Sequence, residues 1–476
     1  MFKNILLFAL PLAASGLIQQ LFTSADMAVV YFFEGTTAQA AVNSNGALVN
    51  LIINLFTGMA VGATVMIAEC VGKKHLDDVH SIVFTSMVFA VGGGVVLLGV
   101  GIAVAPPLLE LMGAPSEVLP LAVKYLRIYF VGMPFLMVYD FGAAILRSIG
   151  DTVRPLIVLL ISGVLNIGLN LLFVGAFGMG VSGVAIATVV ANLTCAVLVL
   201  VFLMRYEMLR MRRGKSKFRA EYLKRLFVIG LPAGLQGAVF SIANVFIQSS
   251  VNSFGDAAMA GSGDAQNFEM YIYCFTSGFA NATVSFIGQN FAAGNVRRCK
   301  KAMLLNMGAS LAVSTVLSAV FTAGGRGFIR IYTDDPEAIE FAITRMVCIL
   351  SASMLPCLYE VAGAALRGLN HSFLPALFTI IGSCLLRLVW IYTVFAAFPE
   401  FWVLMIIYPI TWIATGVAML VAYFVVSRRE FAQLYERGEA TDDVEEPRKL
   451  TQSMRRWKVR TARGANKTDG KRKRRA

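Results

Sequence analysis

The chain has 476 residues, of which 57% are hydrophobic and 14% charged, with a net charge of +13. Soluble domains carry roughly 25% charged residues, so this composition excludes a water-soluble globular protein and indicates an all-α membrane protein that crosses the bilayer many times. The charge excess is local: residues 448–476 hold thirteen Lys/Arg and one acid, Asp469, which leaves the remainder nearly neutral.

Hydropathy predicts twelve transmembrane helices, at about 5–33, 43–70, 81–105, 119–146, 155–174, 181–204, 224–253, 264–290, 301–325, 339–366, 374–397 and 401–427. The first span begins like a secretory signal peptide, but its apolar run continues to Phe33 and a second copy of it lies deep in the chain, so it is kept as a membrane helix. It holds one charge, Asp26, fifteen residues after Pro11. A carboxylate at mid-membrane depth costs about 2.5–3.5 kcal/mol on insertion scales, and a proline removes a backbone hydrogen bond.

Orientation follows from the loops. With both termini in the cytoplasm, the cytoplasmic loops carry eighteen Lys/Arg and the opposite loops two, Arg326 and Arg330; basic loops stay inside. The longest internal polar stretch, 204–225, divides the chain into six helices and six. The expected domains are a first lobe at 1–204, a linker at 205–223, a second lobe at 224–427 and a polar tail without fixed structure at 428–476.

The two halves repeat at an offset of 220. YDFGAAILRSIGDTVRP (139–155) aligns with YEVAGAALRGLNHSFLP (359–375), and Gly35 and Gly58 have mates at Gly255 and Gly278. An even number of helices per repeat makes both copies enter from the same side, which predicts two pseudo-symmetric lobes about an axis along the membrane normal, with a cleft between them.

No enzymatic constellation appears: there is no HExxH, GxSxG, Walker loop or calcium loop. The seven cysteines are scattered and form no CxxC pair, so they read as small core residues. The three histidines, His75, His80 and His371, make no metal motif and read as loop residues. The basic tail reads as a cytoplasmic segment near anionic lipid, with nuclear targeting or RNA binding the weaker alternative.

The candidates for chemistry are therefore polar groups inside the spans. Asp26 leads. The fifth span, GVLNIGLNLLFVG, places Asn166 and Asn170 one turn apart on the same face. The sixth, VAIATVVAN, contributes Thr188. All four offer oxygen ligands of the kind Na⁺ prefers, and the carboxylate can equally hold a proton. Asparagine and threonine also serve as glue between membrane helices; a lone buried carboxylate is costly without a task. At the repeat offset these positions fall on Phe246, Leu386, Trp390 and Tyr408, so no copy of the polar set is expected in the second lobe. That lobe has its own acid in the eighth span, Glu269, and a further pair, Asp140 and Glu360, lies seven residues before Arg147 and Arg367.

Over residues 5–427 the chain resembles the multidrug and toxic compound extrusion (MATE) family. The likeness rests on two six-helix halves, Pro-x14-Asp in the first span and the repeated LRxxGDxxxP-like segments. It rests further on Asn-x3-Asn in the fifth span with Thr eighteen residues later. It implies a cation-coupling site at Asp26, Asn166, Asn170 and Thr188, with Asn170 standing where relatives usually carry aspartate. It also implies a helix-1 hinge at Pro11, with Glu269 as the alternative second-lobe coupling residue. The expected function is Na⁺- or H⁺-coupled antiport of amphipathic, cationic organic compounds by a monomer in the plasma membrane. No cofactor, nucleic acid or metal is expected beyond Na⁺ at Asp26. The alternatives are a flippase for lipid-linked precursors and a non-transporting receptor or scaffold.

Overall fold

In a computed structural model, residues 1–73, 76–111, 118–211 and 216–441 of the protein are described. Chain in hydrocarbon must satisfy its own N–H and C=O groups, and the twelve apolar spans do so as helices. We number them α1 (Phe2–Gly35), α2 (Leu48–Lys73), α3 (Asp77–Pro107), α4 (Leu119–Val131 and Met133–Ser148), α5 (Val153–Ala176) and α6 (Gly180–Arg205) in the first lobe. The second lobe holds α7 (Ala220–Asn252), α8 (Asp256–Ala292), α9 (Val296–Ala323), α10 (Pro336–Ala352 and Pro356–Gly368), α11 (Phe373–Phe395) and α12 (Phe401–Glu436). α8 is the least apolar of the twelve inner spans by sequence, with Thr276, Asn281, Thr283 and Ser285 along it. Thr276, Thr283 and Ser285 are buried.

Two expected single spans are bent pairs. α4 turns by 50° and α10 by 45°. Pro134 and Pro356 open the second halves of these pairs, where a residue without N–H costs nothing at a helix start but cannot continue the previous helix. The fold also departs from the expected boundary at 427. α12 runs on to Glu436 because Phe431 and Leu434 carry the buried face onward, and Thr441 donates its N–H to the Gly294 carbonyl at 2.9 Å. Residues 442–476, which contain the basic tail, lie outside the described residues. His80, expected in a loop, is buried on α3 with Nδ1 2.9 Å from the Arg210 carbonyl.

The repeat is visible in the backbone. Gly35 and Gly255 both take positive φ (79° and 94°) with extended ψ at the turns after α1 and α7. Gly150 and Asn370 are likewise mates at φ 93° and 69°. Asparagine is one of the few residues that tolerate this region, so the second copy keeps the turn without the glycine.

The lobes meet along α1–α8 and α2–α7. A β-carbon on Gly58 would stand 2.4 Å from the Gly234 backbone, and one on Gly278 would stand 2.8 Å from the Ala9 carbonyl oxygen. Gly58 and Gly278 are mates, so one close approach is used twice. The contact runs on to the ends that carry the basic loops, where a β-carbon on Gly72 would stand 2.4 Å from the Gln289 carbonyl oxygen and Glu69 of α2 pairs with Arg225 of α7.

Candidate functional site

α1 continues through Pro11 with helical torsions, and its first non-helical residue is Gly35. Ser15 Oγ donates to the Pro11 carbonyl at 2.8 Å. Further along, Phe22 lies flat on Gly163 of α5; a β-carbon there would fall 1.7 Å from the ring. That missing side chain lets α1 and α5 close, and one turn on from Phe22 the closure delivers Asp26 to the asparagines.

Asn170 Nδ2 donates to Asp26 Oδ1 at 2.6 Å. The Asn166 amide, with its nitrogen toward the carboxylate, lies 2.7 Å from Oδ1 and 3.2 Å from Oδ2. Asn166 and Asn170 are 6% and 0% exposed, and Oδ1 of Asn170 is buried without a hydrogen-bond partner. Thr188 is not drawn into this set: its hydroxyl donates to the Val184 carbonyl of its own helix at 2.9 Å. So three of the four expected residues converge and the fourth stands aside.

Immediately after Asn170 the helix widens. Leu171–Ala176 is a π segment, with Phe177 N–H reaching the Leu172 carbonyl at 3.0 Å. Such segments are common at functional sites because they redirect side chains and loosen the register. A shallow groove lies on another face of α1, lined by Gln20, Thr23, Ser24, Met27 and Tyr31 and not by Asp26. Chemically the arrangement is one carboxylate held by two amides, with a spare buried oxygen turned to no partner. That donor set suits a small hard cation or a proton. Among the described residues no cluster of three His, Cys, Asp or Glu side chains forms a metal site.

The MatE profile matches residues 11–172 and again 232–393, once in each lobe. The chain belongs to the MatE family. It is similar to the probable multidrug resistance protein YoeA of Bacillus subtilis (strain 168), with 26% identity over 386 residues, 79% of this chain and 83% of that protein. It is also similar to the multidrug export protein MepA of Staphylococcus aureus (strain NCTC 8325 / PS 47), with 24% identity over 357 residues, 74% of this chain and 78% of that one. A solved structure described as an outward-facing conformation of a multidrug resistance MATE family transporter shares the fold. Its TM-score is 0.83 at 22% identity, over 91% of this chain and 97% of the other.

The second lobe of this MatE chain is not empty of charge. Arg345 donates to Glu269 through Nε at 2.7 Å and Nη2 at 3.0 Å, and to Ser262 Oγ at 2.7 Å. Glu269 is therefore one half of a bidentate ion pair. Next to this pair, across the Tyr408 ring, lies Arg387 of α11. Neither arginine was among the sequence candidates, although each is a charge inside an apolar span, the same signal that marked Asp26. Asp140, another acid of the first lobe, accepts from Thr57 Oγ1 at 3.3 Å.

Proposed function

We propose that the protein is an ion-coupled exporter of amphipathic organic cations that works by alternating access between its two lobes. The observation that carries this reading is the Asp26 carboxylate held by the amides of Asn166 and Asn170 beside an unpartnered buried oxygen. A bound Na⁺ or proton removes the cost of the charge, and a site that differs in that cost between two conformations lets an ion bias the equilibrium between them. Na⁺ would be held by Asp26 Oδ2 and the amide oxygens of Asn170 and Asn166, the latter after its amide turns over. Thr188 joins only if its hydroxyl leaves Val184.

Family membership and the names of YoeA and MepA support an exporter over a flippase or scaffold. The loop charges support cytoplasmic termini, and with Glu69 and Arg225 pairing the lobes at the basic-loop ends, on that reading the present conformation opens outward, in a plasma membrane, as a monomer. In this scheme Pro11 supplies the freed carbonyl that lets α1 bend, and the basic tail rests on anionic lipid. The test is dye efflux from everted vesicles under imposed Na⁺ and H⁺ gradients separately. Asp26→Asn should keep the fold and abolish gradient-driven efflux under both. Normal pumping by that variant at matched expression would reject the site.

A further inference from the structure

Where the first lobe gathers the Asp26 carboxylate against Asn166, the second lobe places a cation at the position that matches Asn166. The local offset between α5 and α11 is set by their hydrogen bonds. Ser162 of α5 meets Cys195 of α6 at 2.7 Å, and Ser383 of α11 meets Thr415 of α12 at 3.1 Å. Ser162 and Ser383 are 221 residues apart, the same offset as the two MatE matches. At that offset the mate of Asn166 is Arg387, so the 220-residue alignment, which put Leu386 there, is one residue out. The π segment after Asn170 also has its counterpart, at Ile391–Phe395.

Arg387 is 0% exposed. Nε donates weakly to Thr411 Oγ1 at 3.4 Å and Nη1 to Asn244 Oδ1 at 3.3 Å, and Nη2 has no partner. Its guanidinium lies 4.3 Å from the Tyr408 ring centre and 5.2 Å from that of Phe240. Among the described residues no carboxylate pairs with it; Glu269, on the far side of the Tyr408 ring, is taken by Arg345. A buried, unpaired guanidinium is among the most expensive groups a membrane protein can hold. It also presents a planar fork shaped for a carboxylate.

We propose that Arg387 is an anion subsite of the transport cycle, receiving the carboxylate of zwitterionic organic substrates. The inference rests on the exporter reading above and names a substrate class within it. Access is through α7: Phe240 and Asn244, one turn apart and both only half-buried, separate the guanidinium from the surface of that helix. α11 is in π form on both sides of Arg387, at Ile380–Leu385 and Ile391–Phe395. A register reset in either segment moves the side chain without unfolding the helix.

The experiment compares a xanthene dye bearing a free carboxylate with its own methyl ester, in cells and everted vesicles. Wild type should export both. Arg387→Gln should cut export of the acid about tenfold or more, the scale of a lost charge-assisted bond, and leave the ester within about twofold. Arg387→Lys should recover part of the acid transport. Equilibrium binding of the acid dye to purified, monodisperse protein should fall in parallel, which keeps the test independent of expression. Equal loss of both dyes, or equal retention of both, overturns the subsite. Export of the ester but not the acid by wild type overturns the subsite and leaves the exporter standing, whereas export of neither dye sinks both.

Discussion

Arg345 grips Glu269 with two nitrogens, at 2.7 and 3.0 Å, in a pair that is almost closed to solvent on the arginine side. An acid used in this way is a counter-ion, and its loss strands a buried charge at a cost of about 3–5 kcal/mol. Glu269→Gln should therefore lower the melting temperature of the detergent-purified protein clearly. The double variant Glu269→Gln/Arg345→Met should recover most of it, since removing both partners leaves no orphan. A Glu269→Gln protein that melts like wild type yet has lost coupling would move the coupling site to the second lobe.

Asn170 sits 2.6 Å from Asp26, too close for two bare carboxylates. Asn170→Asp replaces a donor by a second anion, a like-charge pair that a bound cation relieves. The midpoint of Na⁺ stimulation of efflux should shift to lower concentration, by about tenfold. A Na⁺ titration with an unmoved midpoint would argue that Asn170 is not a ligand.

The contact of Phe22 with Gly163 is what brings α1 to α5, and it has no room for a methyl group. Gly163→Ala should cost about 1–3 kcal/mol by overpacking and reduce efflux by pushing Asp26 off its amides. Shrinking the ring, as Phe22→Leu in the same protein, should restore both. If the double variant is no better than Gly163→Ala in melting and transport, the glycine has another role.

Glu69 joins the lobes, bonding Arg225 across the boundary and Lys73 at 2.7 Å on its own helix. Arg225 is partly exposed, so the bridge is worth no more than about 1 kcal/mol, which is still a several-fold change between two conformations. Spin labels at the exposed Arg205 and Arg297, one in each lobe, should report longer distances at the basic-loop ends in Glu69→Gln. An unchanged distance distribution would show that the bridge does not bias the lobes.

Composition and the 220-residue echo were enough to determine twelve helices in two lobes, because lipid leaves the backbone no alternative to internal hydrogen bonds. They also marked Asp26, Asn166 and Asn170, since a lone acid in an apolar span and two amides one turn apart are features of a single helix each. Thr188 shows the limit of that reasoning. Its hydroxyl has a carbonyl of its own helix in reach, and spacing along the chain cannot say which acceptor wins. The bends of α4 and α10, the helix past 427 and the pairing of Glu269 depend on neighbours far away in sequence. The same is true of Arg387. A linear alignment at one offset set it against Ile167 and hid its mate, Asn166. The packing of α11 on α7 and α12 places the one-residue slip that the two MatE matches also carry, because the π segments change how many residues a turn contains, and with it which side chain faces the site.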